Sequence, residues 1–69
     1  MSGTTHIEHV KSPGFERRAW ISHPRADGDD YYWCISIDGG TYADGYAATL
    51  AEAEDHCREM LAEHDAMNA

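Results

Sequence analysis

One stretch of this chain keeps a helical period, and it comes last. From position 50 onward, Leu50, Ala53, Cys57, Met60, Leu61 and His64 recur at intervals of three and four, so a helix gathers them into one stripe. Thr49 stands three residues ahead of Glu52, the spacing at which a hydroxyl and a carboxylate can each satisfy the other's backbone N–H at a helix start. A helix over residues 50–65 follows. Everything before it alternates or turns. With 69 residues and one apolar stripe, the chain can bury that stripe against a sheet made from its remaining residues, and a homodimer interface or a binding partner could supply the burial that so small a core lacks.

The strands are legible in their alternation. In FERRAWISH, residues 15–23, Phe15, Ala19 and Ile21 alternate with Glu16, Arg18 and Ser22, and Arg17 and Trp20 break the period. YYWCISID, residues 31–38, is the clearest strand: Trp33, Ile35 and Ile37 share one face, and Tyr32, Cys34 and Ser36 the other. Asp38-Gly39-Gly40 supplies the positive φ values of a tight hairpin turn. Residues 41–46 then return as a short strand, broken at Asp44-Gly45. The polar stretch 24–30 connects two strands, and Pro13-Gly14 marks a turn after a further candidate strand, HIEHV, at residues 6–10.

The expected fold is α+β: a three-stranded antiparallel meander, four-stranded if residues 6–10 join it, with one C-terminal helix packed on the Trp33–Ile35–Ile37 face. No repeat or linker divides the chain, so residues 1–69 read as a single domain whose first five residues are mobile. Cys57 lies on the helix stripe and Cys34 on the opposite face of the sheet, which predicts two free thiols. No apolar run reaches the roughly 20 residues of a membrane helix, and MSGTTHIEHVKSPG, residues 1–14, holds no apolar segment of signal-peptide length. A cytoplasmic protein is expected, making no contact with membranes.

Charge narrows the function. The net charge is −8, unevenly spread. Residues 1–26 hold Lys11, Arg17, Arg18 and Arg25 against Glu8 and Glu16, whereas residues 27–69 hold eleven carboxylates against Arg58 alone. Such a field repels phosphate backbones and speeds encounter with a basic surface. Direct nucleic-acid binding is therefore not expected, although Arg17, Arg18 and Arg25 are the residues that would attempt it.

Glu52, Asp55, Glu59 and Glu63 fall on one side of the helix, with His56 beside them. Glu54 has Arg58 four residues on as a helical partner. Acids in the first turn complement the helix dipole, but Glu59, Glu63 and Asp65 sit where the dipole favours cations. That excess points to a partner with a basic surface. Trp20, Tyr32 and Tyr42 are the aromatic residues expected outside the core, and exposed Trp and Tyr supply much of the short-range affinity of protein interfaces.

Other chemistry is not indicated. Asp27-Gly28-Asp29-Asp30 lacks the twelve-residue spacing and closing glutamate of a calcium loop. His6 and His9 do not converge with other ligands at zinc spacing. Neither Ser22-His23 nor Ser36 forms a recognisable triad, and so small a domain offers little room for a pocket. No enzyme activity, metal or cofactor is expected.

In ISIDGGTYADGYAATLAEAE, residues Gly45, Thr49, Glu52 and Ala53 stand in the strand–turn–G…T…EA–helix arrangement that resembles HicB-like antitoxin domains and many small phage and actinobacterial proteins. The chain lacks the Pro-Asp pair that the HicB pattern carries after its second strand. The resemblance implies a protein that neutralises a partner in a prokaryotic or phage setting. Its Ala/Asp/Glu/Arg-rich, lysine-poor composition resembles that of high-GC bacteria and their phages. The expectation is a small acidic, non-enzymatic module, phage- or mobile-element-encoded and acting in the host cytoplasm. Glu52, Asp55, Glu59 and Glu63 would steer it onto a basic surface of a host protein, and Trp20, Tyr32 and Tyr42 would hold it there. The alternative is an antitoxin-like or structural module that homodimerises through its sheet face.

Overall fold

The computed structural model of the protein describes residues 3–68. Four strands, β1 (Thr4–Ser12), β2 (Phe15–Ser22), β3 (Tyr31–Ile37) and β4 (Gly40–Ala47), precede one helix, α1 (Leu50–Met67). The strands form a single antiparallel meander in the order β1-β2-β3-β4. The fold is α+β, and residues 6–10 do join the sheet, inside a nine-residue strand. Of the first five residues, Met1 and Ser2 lie outside the described part. Thr4 and Thr5 pair with Ser22 and Ile21, and Gly3 accepts a hydrogen bond from the His23 N–H at 2.9 Å.

The β3–β4 turn forms where expected. Asp38 (φ 51°) and Gly39 (φ 85°) take the two left-handed positions of the hairpin. The Glu16 N–H donates to Asp38 Oδ1 at 2.9 Å, which fastens the turn to the start of β2.

β4 is continuous through Asp44-Gly45 rather than broken there. Gly45 serves close approach. A β-carbon at this position would lie 2.9 Å from Trp33 Cζ2, because the indole crosses directly over the neighbouring strand. His56 of α1 stacks on the same indole, with ring centres 5.5 Å apart and planes 15° from parallel. Trp33 is therefore enclosed between a backbone and an imidazole, and among the described residues its Nε1–H has no hydrogen-bond partner.

The core lies between the sheet and α1. Ala19, Ile21, Trp33, Ile35 and Ala47 of the sheet meet Ala53, Cys57 and Leu61 of the helix. Ile21 and Ile35 are fully buried, and each such side chain contributes about 1.5–3 kcal/mol relative to exposure. Two bulges add to this core. The β1–β2 register shifts between His6 and Glu8, and the β3–β4 register between Ile35 and Ser36. The extra residues, Ile7 and Tyr42, both pack against the core.

The helix is capped at both ends. Thr49 Oγ1 accepts from the Glu52 N–H at 3.1 Å. At the far end, the Asn68 N–H and side-chain amide both donate to the His64 carbonyl. α1 runs to Met67, two residues beyond the expected end, and there Tyr42 Oη donates to Met67 Sδ at 3.6 Å.

Arg17 changes the reading of β2. The strand alternates without interruption, with Arg17, Ala19 and Ile21 buried towards α1, while Glu16, Arg18 and Trp20 look the other way. Arg17 keeps the period because its charge is met on that face. Nε donates to Glu8 Oε2 at 2.6 Å, and one terminal nitrogen donates to Asp65 Oδ1 at 2.6 Å. That nitrogen also lies 3.0 Å from His64 Nδ1. The hydrogen bonds to Glu8 and then Asp65 raise the guanidinium's pKa further above its ordinary value.

Candidate interaction surfaces

Two faces of the molecule carry the residues that could bind a partner, and the sheet with its helix separates them. The first is the outer side of α1. Glu52, Asp55, Glu59 and Glu63 are all exposed and follow one another at helical spacing, away from the buried Ala53–Cys57–Leu61 stripe. Among the described residues, none of the four forms a salt bridge. They make a ridge of about 16 Å with one charge per about 5 Å, against one per about 3.4 Å along a strand of DNA.

Two features of the helix differ from expectation. Asp65 does not add to the ridge, because it is committed to Arg17. Its charge at the helix C-terminus has an internal cause: the buried cation on β2 needs it. Glu54 and Arg58 do not come within salt-bridge distance, despite their i, i+4 spacing. His56 borders the ridge but is occupied by Trp33.

The second surface is the face of the sheet turned away from α1. The pairing register places Trp20, Cys34 and Asp44 side by side on β2, β3 and β4, with His6 completing the row on β1. Thr4, Ser22, Tyr32 and Tyr46 form the neighbouring row. Tyr46 is 68% exposed and its ring lies 5.2 Å from that of Tyr32. Tyr32 Oη donates to Asp44 Oδ2 at 2.8 Å, and this bond, followed by burial, raises the phenol's pKa well above its ordinary value. Arg18 rests over the Trp20 ring at 5.6 Å. His9 Nε2 and Glu16 Oε2 are 2.8 Å apart, a hydrogen bond that holds the Glu16 carboxyl below its usual range.

Of the aromatic residues expected on the surface, Trp20 and Tyr32 lie on this open face, both half-buried. Tyr42 does not. Its ring packs under the end of α1, edge-on to His64 at 5.2 Å. The bulge that displaces it follows from no obvious sequence signal. Arg17 is also withdrawn from the surface, so Arg17, Arg18 and Arg25 cannot form one basic patch. Tyr46 is the most exposed aromatic residue of this face.

The cysteines are both free and buried, Cys57 under the helix and Cys34 within the open-face row. Burial chiefly pushes the Cys57 thiol up to about 11. The domain has more concavity than its size suggests. A cleft of about 350 Å³ lies between the β2–β3 connection and the start of α1, lined by residues that include His23, Arg25, Asp27, Tyr31 and Thr49. His23 Nε2 is engaged 2.6 Å from Thr5 Oγ1. Among the described residues, no three His, Cys, Asp or Glu side chains come together as a metal site, and no helix is long and apolar enough to cross a membrane.

No family model, no curated protein and no solved structure matches this chain.

Proposed function

We propose that this chain is a small acidic protein-binding module that covers a basic surface on a host protein, of the kind that otherwise holds nucleic acid. The observation that carries the reading is the α1 ridge: Glu52, Asp55, Glu59 and Glu63 exposed in line, with no salt-bridge partner among the described residues. A carboxylate committed inside the fold, as Asp65 is, has a structural reason. Glu52 has the dipole of the helix start, but Glu59 and Glu63 have no such reason, and the repulsion along Asp55, Glu59 and Glu63 costs an isolated helix a few tenths of a kcal/mol per i, i+4 pair. A basic surface would turn that cost into attraction.

The expected division of labour between acids and aromatics needs revision. Trp20 and Tyr32 are on the opposite side of the molecule from the ridge, so one partner surface cannot touch both. Short-range contact beside the ridge falls instead to His56 on its Trp33 support and to the half-buried Met60. The ridge raises the association rate and sets its salt dependence. Occlusion of the partner, in a phage or mobile-element setting, is part of the same proposal.

The test is capture from bacterial lysate at low salt by wild type and by a Glu59→Lys, Glu63→Lys variant. Capture of a basic nucleic-acid-handling protein by the wild type alone supports the reading. Equal capture by both baits removes the ridge from the mechanism.

A further inference from the structure

We propose that the open face of the sheet seats a second copy of this chain, packed face to face about a two-fold axis running along the strands between β2 and β3. The surface is distinct from the acidic ridge, and the inference stands or falls without it.

The rows of the sheet carry the argument. A two-fold along the strands keeps each residue at its height and reverses its row, so β1 lies over β4 of the second copy and β2 over its β3. In the row His6–Trp20–Cys34–Asp44, this sets Trp20 over Cys34 and His6 over Asp44. In the row Thr4–Ser22–Tyr32–Tyr46, Thr4 meets Tyr46 and Ser22 meets Tyr32. Tyr32 and Tyr46 each face a small side chain, as sheets packed about 10 Å apart require, and Trp20 lies over the position of Cys34, which its own chain already covers. The polar ends also match, since the imidazole of His6 reaches a carboxylate.

Charge favours the same occupant. The face carries Lys11 and Arg18 against Glu16 and Asp44, so it is balanced, and the chain's net charge of −8 resides elsewhere. Two copies repel through most of their surfaces and least through this one. Closing it places both acidic ridges on the outside, as far apart as the pair allows. Four strands at about 4.8 Å and seven residues at about 3.3 Å give a face of about 19 by 23 Å. That is small for a specific interface, so the pair is weak and comes apart on dilution.

Mass measured by light scattering and sedimentation decides the matter. At several hundred micromolar the wild type should have twice the 7.7 kDa of one chain, falling to one chain at low micromolar concentration. Tyr46→Glu, at the most exposed ring, should be a single chain throughout with unchanged circular dichroism. Asp44→Arg should weaken the pair, and adding His6→Asp should restore it. These two positions are three strands apart in one copy, about 14 Å, so their coupling reports contact between copies. Glu59→Lys with Glu63→Lys should leave the mass unchanged. A wild type that remains a single chain at several hundred micromolar overturns the proposal, including in favour of a different molecule on this face. So does a mass indifferent to both Tyr46→Glu and Asp44→Arg.

Discussion

Arg17 and Asp65, 48 positions apart in the chain, meet at 2.6 Å, and their contact ties the end of α1 to the sheet. The side chain of Arg17 is 10% exposed while that of Asp65 is 65% exposed. The cation therefore depends on the carboxylate more than the reverse. Glu8 completes the arrangement from β1, so three elements are joined through one guanidinium.

Replacing Arg17 with Met keeps the stem and removes the charge. Breaking a fully buried pair costs about 3–5 kcal/mol. Here Glu8 and Asp65 can regain water, so the expected loss is about 1–3 kcal/mol, with Asp65→Asn costing under about 1 kcal/mol. Urea unfolding followed by tryptophan fluorescence measures both. An Arg17→Met protein as stable as the wild type would show that the tie holds nothing.

Gly45→Ala tests the contact across β3 and β4. The new methyl must displace the Trp33 ring or the strand, and overpacking of this kind costs about 1–3 kcal/mol. Trp33→Phe removes the atoms in the way. The double variant should therefore lose less than the sum of the two single losses. Additive losses would place the effect of Gly45 elsewhere, in strand propensity for example.

Cys57 gives a pH dependence whose sign is fixed. Its thiol pKa rises from 9.0 to about 11 on folding, chiefly through burial. Between those values the unfolded chain loses the proton and the folded chain keeps it. The contribution is complete below pH 9 and is lost as pH rises to about 11, a change of about 1–3 kcal/mol. Cys57→Ala should remove this slope from the unfolding free energy measured across the same range. Native thiol labelling at pH 8 should be slow at Cys57 and become fast in denaturant. An identical slope in wild type and variant would contradict the assignment.

The elements were legible because their signals are local. Alternation defined β3, Asp38-Gly39 defined its turn, and Thr49 with the Leu50–His64 stripe defined α1. Arg17 hides its place in the strand for a physical reason. An arginine at an inward position looks like a break in period until its partners are known, and these lie on β1 and at the far end of α1. Gly45 likewise looks like a strand breaker, because nothing nearby in sequence reveals an indole lying across it. Tyr42 turned inward through a bulge, which depends on cross-strand register. The four ridge acids were legible individually. That Asp65 does not belong with them, and that Trp20 and Tyr32 face away from them, required the tertiary structure.

The ridge is tested most directly by association kinetics with the protein captured from lysate, measured across a range of salt concentrations. The wild-type association rate should fall steeply with added salt. With Glu59→Lys and Glu63→Lys it should be slower at low salt and nearly independent of salt. The same rate and the same salt dependence for both proteins would remove the ridge from binding and leave the carboxylates of α1 as solvated surface.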